Sequence, residues 1–207
     1  MIDLNKDFGI YYHGSPIKPI YKGVKFGWVS FFKMLKYLHE DYLEIDGWRF
    51  NLFYGSIYLR EKKDWNYYLP PSGLKDKIVL DVGGGCGETA KFFIENGALG
   101  VNIIEMNKEC EKFLEYNSLY HNIKYRIKKF DLSDMLKDKY DLIKIDIEGY
   151  EIELLPYLNE INIDIVLESH SQYTTDKFIE NGFTYCELIK EKRSLWGVTQ
   201  LCRWKKY

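Results

Sequence analysis

The chain has 207 residues, which suits one domain of ordinary size with a sizeable core. Hydrophobic residues make up 46% of it, which excludes a disordered chain, and the formal charge of -2 gives no overall attraction to nucleic acid or anionic membranes. The four cysteines form no CxxC pair, so they indicate neither a zinc site nor a disulfide framework. Without a signal peptide pattern or a stretch of ~18 apolar residues, we expect a cytoplasmic protein with no membrane partner.

Residues 1–72 are predicted to form a small cap before the main domain. Residues 28–45, WVSFFKMLKYLHEDYLEI, have apolar side chains at helical spacing and predict an amphipathic helix. Residues 44–61, EIDGWRFNLFYGSIYLRE, alternate in polarity around Asp46-Gly47 and Gly55, which predicts hairpin strands. The run PPSG at 70–73 then interrupts the pattern, so we place the boundary between the cap and a main domain, 73–207, at this point.

The main domain alternates short apolar runs with helical patterns, which is typical of βαβ units and a mostly parallel sheet. Five strands are predicted, namely KIVLDV, GVNIIEM, IKYRIKKFD, YDLIKIDI and IDIVLESH. The helices between and after them are ETAKFFIENG, NKECEKFLEYNSLY, EIELLPYL and TTDKFIENG, the last starting at Thr174 or Thr175. The final segment, 183–204, offers two more strands joined without a helix, which should pair antiparallel. The expected fold class is therefore α/β.

The turn after the first of these strands, LDVGGGCGETA, predicts a ligand site. It follows a strong strand and opens a helix, which is where open α/β sheets bind ligands. Its backbone can approach a ligand closely because of four glycines, Gly83, Gly84, Gly85 and Gly87. Glu105 ends the next strand, where the hydroxyls of a ribose would lie. The turn formally satisfies the dinucleotide fingerprint, but Asp81 and Glu88 suit a cationic ligand such as S-adenosylmethionine better than a pyrophosphate.

Four ionisable residues lie at the carboxyl ends of the fourth and fifth strands and are the candidate catalytic groups: Asp146, Glu148, Glu168 and His170. Alternation along a strand would put the first two on one side, facing the same cleft as the other two. His170 is the best candidate base because the ordinary pKa of histidine lies near neutrality. Glu151 would favour the positive end of the following helix. A divalent cation would also suit these oxygens, although the sequence requires none and we assign no metal site.

Several strings resemble the FkbM-like group of class I S-adenosylmethionine-dependent methyltransferases: VLDVGGGCGETA, IIEMN, and KIDIEGYE followed by VLESH. The resemblance runs from about residue 46 to 204, and departs from the family pattern at Gly84-Gly85-Cys86. It implies a Rossmann-like sheet of seven strands with the last strand antiparallel. It also implies methyl transfer, usually to an oxygen of a sugar, glycan or small natural product, with S-adenosylhomocysteine as the other product.

The resemblance also implies roles for individual residues. Asp81 and the glycines from Gly83 to Gly87 would line the methionine part of the cofactor, Glu105 would hold the ribose, and Met106 would lie against the adenine. Asp131 and Leu132 would contact the adenine edge, and Asp146 would lie beside the transferring methyl group. Upstream aromatic residues could form a lid that stacks on a sugar: Tyr54, Tyr58, Trp65, Tyr67 and Tyr68.

Three other functions stay open at this stage. The basic segment 190–207 suggests an RNA methyltransferase, although Asp146-Ile147-Glu148-Gly149 stands where a base methyltransferase would carry an Asn-Pro-Pro-Tyr-like motif. The glycine fingerprint alone would suit an NAD-dependent oxidoreductase. A non-catalytic domain could keep the fold and bind a partner. We expect a small-molecule or glycan acceptor and no nucleic acid, and the sequence does not define an oligomeric state.

Overall fold

A computed structural model describes residues 8–11, 18–21, 24–25, 28–39, 41–129, 139–186 and 199–204. The chain begins with a small antiparallel sheet of three strands, β1 (Phe8–Tyr11), β2 (Lys18–Tyr21) and β3 (Val24–Lys25). Helix α1 (Trp28–Leu35) follows. The predicted helix over 28–45 is therefore too long, because its last four residues form a strand.

That strand, β4 (Tyr42–Ile45), pairs antiparallel with β5 (Trp48–Asn51). Asp46 and Gly47 join them with positive φ angles of 51° and 81°, the conformation that a two-residue hairpin turn needs. The hairpin prediction is confirmed here but is wrong for the residues that follow, which form helix α2 (Leu52–Glu61). Its first turn is capped by the Asn51 side chain, which accepts a hydrogen bond from the Tyr54 amide at 2.8 Å.

The main sheet has seven strands: β6 (Ile78–Val82), β7 (Gly100–Glu105), β8 (Ile123–Ile127), β9 (Leu142–Ile145), β10 (Asp164–Ser169), β11 (Thr184–Tyr185) and β12 (Thr199–Arg203). Their order across the sheet is β11-β12-β10-β9-β6-β7-β8. Strand β12 runs antiparallel to both of its neighbours, and the pairs among β6 to β10 are parallel. The predicted α/β class, the seven strands and the antiparallel last strand are confirmed.

The helices of this sheet lie close to their predicted positions. They are α3 (Glu88–Glu95), α4 (Glu111–Tyr120), α5 (Leu155–Leu158) and α6 (Gln172–Glu180), with 3-10 turns at Lys62–Tyr68, Lys108–Cys110 and Glu151–Leu154. Helix α6 begins two residues earlier than predicted because Ser171 caps it, accepting the Thr174 amide at 3.0 Å. Thr174 and Thr175 are buried inside the helix.

Apolar side chains cover both faces of the main sheet, as expected for parallel strands. On one face, Val79 and Val101 belong to the same buried cluster as Phe50 of the hairpin and Phe92 of α3. On the other face, Leu80 packs in a separate cluster that includes residues of β9, β10 and α6. The hairpin thus shares its core with the main sheet, and the boundary at residue 73 stays a prediction. In the part of the chain that the structure describes, every helix is too short or too polar to cross a membrane.

Candidate functional site

A cavity of about 1400 Å³ opens at the carboxyl ends of the central strands. Its walls come from helix α2, the 3-10 turn after it, and the segments that follow β6, β7, β9 and β10. Predicted site residues on these walls are Gly83, Glu105, Met106, Asp146, Glu148, Glu168 and His170. Candidate cofactor and catalytic groups thus share one space.

The glycine turn is packed too closely for larger residues. Gly83 has a φ of 75°, and a Cβ on it would overlap the carbonyl oxygen of Asp146. A Cβ on Gly85 would lie 2.5 Å from a carboxylate oxygen of Glu88. Gly87 has a φ of 93° and precedes α3. Of the four predicted glycines, only Gly83 is on the cavity wall, so the others act by shaping the turn.

Asp81 lies behind the cavity wall and not on it. Its side chain is fully buried, accepts a hydrogen bond from the Thr89 hydroxyl, and lies 3.1 Å from Nζ of Lys144. Lys144 is opposite Asp81 in the β6–β9 pairing, and its ammonium also donates to the Gly83 carbonyl at 3.0 Å. Burial opposes the Lys144 charge, but Asp81 and Asp146 outweigh burial and raise its pKa.

Lys144 was missed in the sequence, although a lysine within the apolar run LIKI is itself a signal. A lysine between buried neighbours on a central strand needs an acidic partner. The nearest acid on the adjoining predicted strand is Asp81, at the matching distance from the strand end. Lys144 lies on the cavity wall and joins the Gly83 carbonyl of the glycine turn to the buried Asp81 carboxylate behind it.

At the end of β7, Glu105 is buried on the cavity wall. Its two carboxylate oxygens accept the amides of Gly85, at 2.9 Å, and Asn107, at 2.7 Å. Glu105, the residue predicted to bind the ribose, is thus hydrogen-bonded to the glycine turn. Each of its carboxylate oxygens keeps a lone pair for a further donor. Met106 is 70% exposed beside it. Asp131 and Leu132 lie outside the described residues.

Glu88 is the acid of the glycine turn that faces the cavity. One of its oxygens accepts the Cys86 amide at 3.0 Å. Burial raises the pKa of Glu88 to about 8. Of the two acids that suggested a cationic ligand, Asp81 is therefore already paired, and Glu88 is the one available to such a ligand.

At the other end of the cavity, His170 follows β10 and lies between three acids. Its Nδ1 is 2.9 Å from an oxygen of Glu151, and its Nε2 is 3.6 Å from oxygens of both Asp146 and Glu148. Glu151 is fully buried and also accepts the Gly149 amide at 3.0 Å. Glu151 is thus more than a charge at a helix end, because it fixes the imidazole.

The alternation expected for Asp146 and Glu148 does not explain this arrangement. Strand β9 ends at Ile145, and Glu148 has a φ of 54° in the turn that follows. The turn brings the two carboxylates to the imidazole. Period-two alternation was the wrong reason, although the predicted meeting of these groups is found.

These contacts shift the ionisation of the cluster. The hydrogen bond with Glu151 and the charge of Asp146 raise the pKa of His170 to about 9. Burial raises the pKa of Asp146 to about 7, against the opposing charge of Lys144. Burial disfavours the Glu151 charge, but the bonds from His170 and the Gly149 amide lower its pKa. His170 therefore lacks the near-neutral pKa that made it the best base in the sequence.

Glu168 lies on the same cavity wall and is held by two tyrosines. The hydroxyls of Tyr67, at 2.9 Å, and Tyr68 both donate to one of its carboxylate oxygens. Burial and the nearby Glu168 charge raise the pKa of both phenols, so they stay neutral donors. Of the five predicted lid aromatics, Tyr54, Trp65 and Tyr68 line the cavity.

Three solved structures that resemble this chain are described as methyltransferases, and their sequence identity to it is low. Ribosomal protein L11 methylase from Lactobacillus delbrueckii subsp. bulgaricus is 20% identical, with a TM-score of 0.51 over 76% of this chain and 80% of that one. Phosphoethanolamine N-methyltransferase 1 from Haemonchus contortus, in complex with phosphoethanolamine and S-adenosylhomocysteine, is 17% identical, with a TM-score of 0.53 over 73% and 44%. An O-methyltransferase family protein from Burkholderia thailandensis is 12% identical, with a TM-score of 0.52 over 75% and 59%.

At these identities the likeness shows the fold, which is the Rossmann-like fold of class I methyltransferases. No protein-family model matches the sequence. No curated protein matches it either.

Proposed function

We propose that this protein transfers a methyl group from S-adenosylmethionine to a hydroxyl oxygen of a sugar, glycan or small natural product, as an FkbM-like enzyme. The observation that carries the proposal is a single cavity with Gly83 and Glu105 on one wall and the cluster of Asp146 and His170 on another. The carboxyl ends of parallel strands are where this class of fold binds its ligands. Donor and acceptor would meet there.

The charges of the cavity favour a cationic cofactor over a dinucleotide. Glu88 and Asp146 line it near the glycine turn. Burial raises the pKa of both carboxyls, so the ammonium and sulfonium groups of S-adenosylmethionine would favour their charged forms, whereas a pyrophosphate would disfavour them. Glu105 keeps an acceptor position for the ribose hydroxyls. Met106 beside the adenine, and Asp131 and Leu132 at its edge, belong to the same proposal.

The transfer itself is a displacement at carbon. The oxygen–carbon bond forms as the carbon–sulfur bond breaks, and the electron pair stays on sulfur to give S-adenosylhomocysteine. The hydroxyl proton must go to a base, which is worth typically 10²- to 10⁴-fold in rate. Two carboxylates on the cavity wall can accept it, those of Asp146 and Glu168, while Glu148 and His170 would orient the acceptor.

Binding of S-adenosylmethionine, S-adenosylhomocysteine and NAD by isothermal titration calorimetry tests the cofactor. We expect micromolar binding of both adenosyl ligands, at least about tenfold weaker in Glu105→Gln, because an amide keeps one acceptor but loses the charge-assisted bond. Glu109→Gln is the matched control, since Glu109 is exposed just after the same strand. Binding of NAD alone would favour an oxidoreductase, and no binding at all would favour a partner-binding domain.

Transfer of a labelled methyl group tests the acceptor class. Cofactor labelled at the methyl carbon would be incubated with neutral sugars, oligosaccharides, hydroxylated natural products and total RNA. We expect label in a hydroxylated small molecule or glycan, and its loss in Asp146→Asn. Label in RNA alone would favour the RNA methyltransferase alternative.

A further inference from the structure

We propose that Asp146, Glu148 and His170 form a binding site for a divalent first-row metal ion such as Mn²⁺. The site would hold the ion at the acceptor end of the cavity. Its part in the reaction rests on the proposed function, but the binding of the ion does not.

The distances between the donor atoms suit a shared ion better than direct hydrogen bonds. One atom from each of the three side chains lies within 4.8 Å of the other two, and Nε2 of His170 is 3.6 Å from both carboxylates. A separation of 3.6 Å is too long for a hydrogen bond. Ligands about 2.1 Å from one ion lie roughly 3.0–3.5 Å apart, so a small inward movement would complete the site.

The imidazole is held as a metal ligand needs it to be. Nδ1 faces Glu151, which is fully buried and further fixed by the Gly149 amide, so Nε2 points to the two remaining acids. Histidines that bind metals commonly donate their other ring nitrogen to a carboxylate in this way, which sets the tautomer and raises the basicity of the ligand. Glu151 would thus be a positioning residue for the metal.

The charges around the cluster leave room for a dication. Contacts within 4 Å join four carboxylates to one ammonium and one imidazole, namely Asp81, Asp146, Glu148 and Glu151 to Lys144 and His170. With all four carboxylates ionised, even a protonated imidazole leaves two negative charges uncompensated, and a dication would favour that ionised form. Lys144 approaches the other oxygen of Asp146, at 3.7 Å, so the oxygen that faces His170 stays available.

Three protein ligands would leave coordination positions open toward the cavity. One imidazole and two carboxylates suit Mn²⁺ or Fe²⁺, because imidazole favours the transition metals and carboxylate oxygens also suit manganese. An acceptor hydroxyl bound there would become more acidic and would be held in place for attack on the methyl group. Its proton could then pass to the Glu168 carboxylate on the same cavity wall.

Electron paramagnetic resonance of Mn²⁺ tests the site without any turnover. The full chain would be freed of metal with a chelator and titrated with Mn²⁺ in the absence of cofactor. We expect about one tightly bound ion per chain, and at least tenfold weaker binding in Glu148→Gln. That glutamate side chain is 87% exposed, so its substitution should not disturb folding. Glu153→Gln is the matched control, because Glu153 is also an exposed glutamate on the cavity wall but lies outside the three-residue cluster.

Two further variants separate ligation from folding. His170→Ala should abolish tight binding, and Glu151→Gln should weaken it by about 10- to 100-fold, since that is the usual effect of removing the partner of a metal-bound histidine. Thermal unfolding of each variant would identify any that fails to fold. Tight binding that Glu148→Gln leaves unchanged, or no tight binding in the wild type, would overturn the metal site. Calorimetry of S-adenosylmethionine with chelator present keeps this outcome distinct from a failure of the proposed function.

Discussion

Replacement of Lys144 by methionine should destabilise the protein strongly. The side chain is 1% exposed and faces the fully buried Asp81 at 3.1 Å, so methionine keeps the apolar stem but leaves a buried carboxylate without its cation. Removing one partner of a buried pair typically costs about 3–5 kcal/mol. The Gly83 carbonyl would also lose its donor, so we expect the upper part of this range.

The double variant Asp81→Asn with Lys144→Met gives a more specific test, because it should recover part of the stability that the single variants lose. It removes both charges, while the amide oxygen introduced at position 81 can still accept from the Thr89 hydroxyl. At least about 2 kcal/mol of the summed single losses should therefore return. The free energy of unfolding would be measured in urea at pH 7 by tryptophan fluorescence.

Lys112→Met is the control for the loss of a lysine as such. Lys112 is 66% exposed and lies 3.5 Å from Asp41, so the variant should cost less than about 1 kcal/mol. Two results would refute a stabilising buried pair. One is a loss of unfolding free energy in Lys144→Met no larger than in the control, and the other is a loss in the double variant equal to the sum of the two single losses.

Three further substitutions probe the cavity walls. Gly83→Ala should cost more than about 2 kcal/mol in urea unfolding, because its Cβ would overlap the Asp146 carbonyl in addition to the strain of a positive φ. Glu88→Gln should become more stable relative to wild type as pH rises from 4.5 to about 8, by up to about 1.4 kcal/mol per pH unit, and then level off. The sign follows because a raised carboxyl pKa makes folding take up a proton within this window. Tyr68→Phe should cost about 1.5–3 kcal/mol by removing a bond to the Glu168 carboxylate, again measured in urea.

Each of these expectations can fail on its own. Wild-type stability in Gly83→Ala would mean that the turn and the end of β9 move apart easily. A constant stability difference between Glu88→Gln and wild type from pH 5 to 8 would mean that Glu88 titrates normally. A loss of less than about 0.5 kcal/mol in Tyr68→Phe would mean that Tyr67 or solvent satisfies the carboxylate.

The order of strands and helices after residue 77 could be predicted because each element carries its own local signal. Apolar runs of strand length alternate with capped helical patterns, and right-handed βαβ connections leave few arrangements of a parallel sheet. Residues 52–61 were misassigned because their alternating pattern resembles a strand. Gly55 lies in α2 where a Cβ would be 2.7 Å from the Leu43 side chain, and this close approach between helix and hairpin is a tertiary requirement with no local signature.

The candidate site also contains residues that local sequence signals predict and residues whose contacts depend on the tertiary structure. The glycine turn and Glu105 are readable because backbone geometry and strand position place them. Lys144 was not recognised, and Glu151 was assigned to a helix end without its contact to His170. Which buried charges pair depends on the register of β6 against β9 and on a turn with a positive φ at Glu148. A sequence displays the acids but not the partners that neutralise them.

Asp146 connects the glycine turn with the cluster around His170. Substitutions on its two sides should therefore affect the binding of S-adenosylmethionine and of Mn²⁺ differently. Its amide donates to the Val82 carbonyl at 3.0 Å, its own carbonyl packs against Gly83, and its carboxylate faces His170. A substitution at Gly83 must displace this backbone, so it should weaken both S-adenosylmethionine and Mn²⁺ binding. A substitution at Glu148, whose exposed side chain reaches only the acceptor end, should weaken Mn²⁺ binding and leave the cofactor affinity unchanged. The glycine turn and the cluster around His170 are therefore connected through the backbone of Asp146, although we propose different ligands for them.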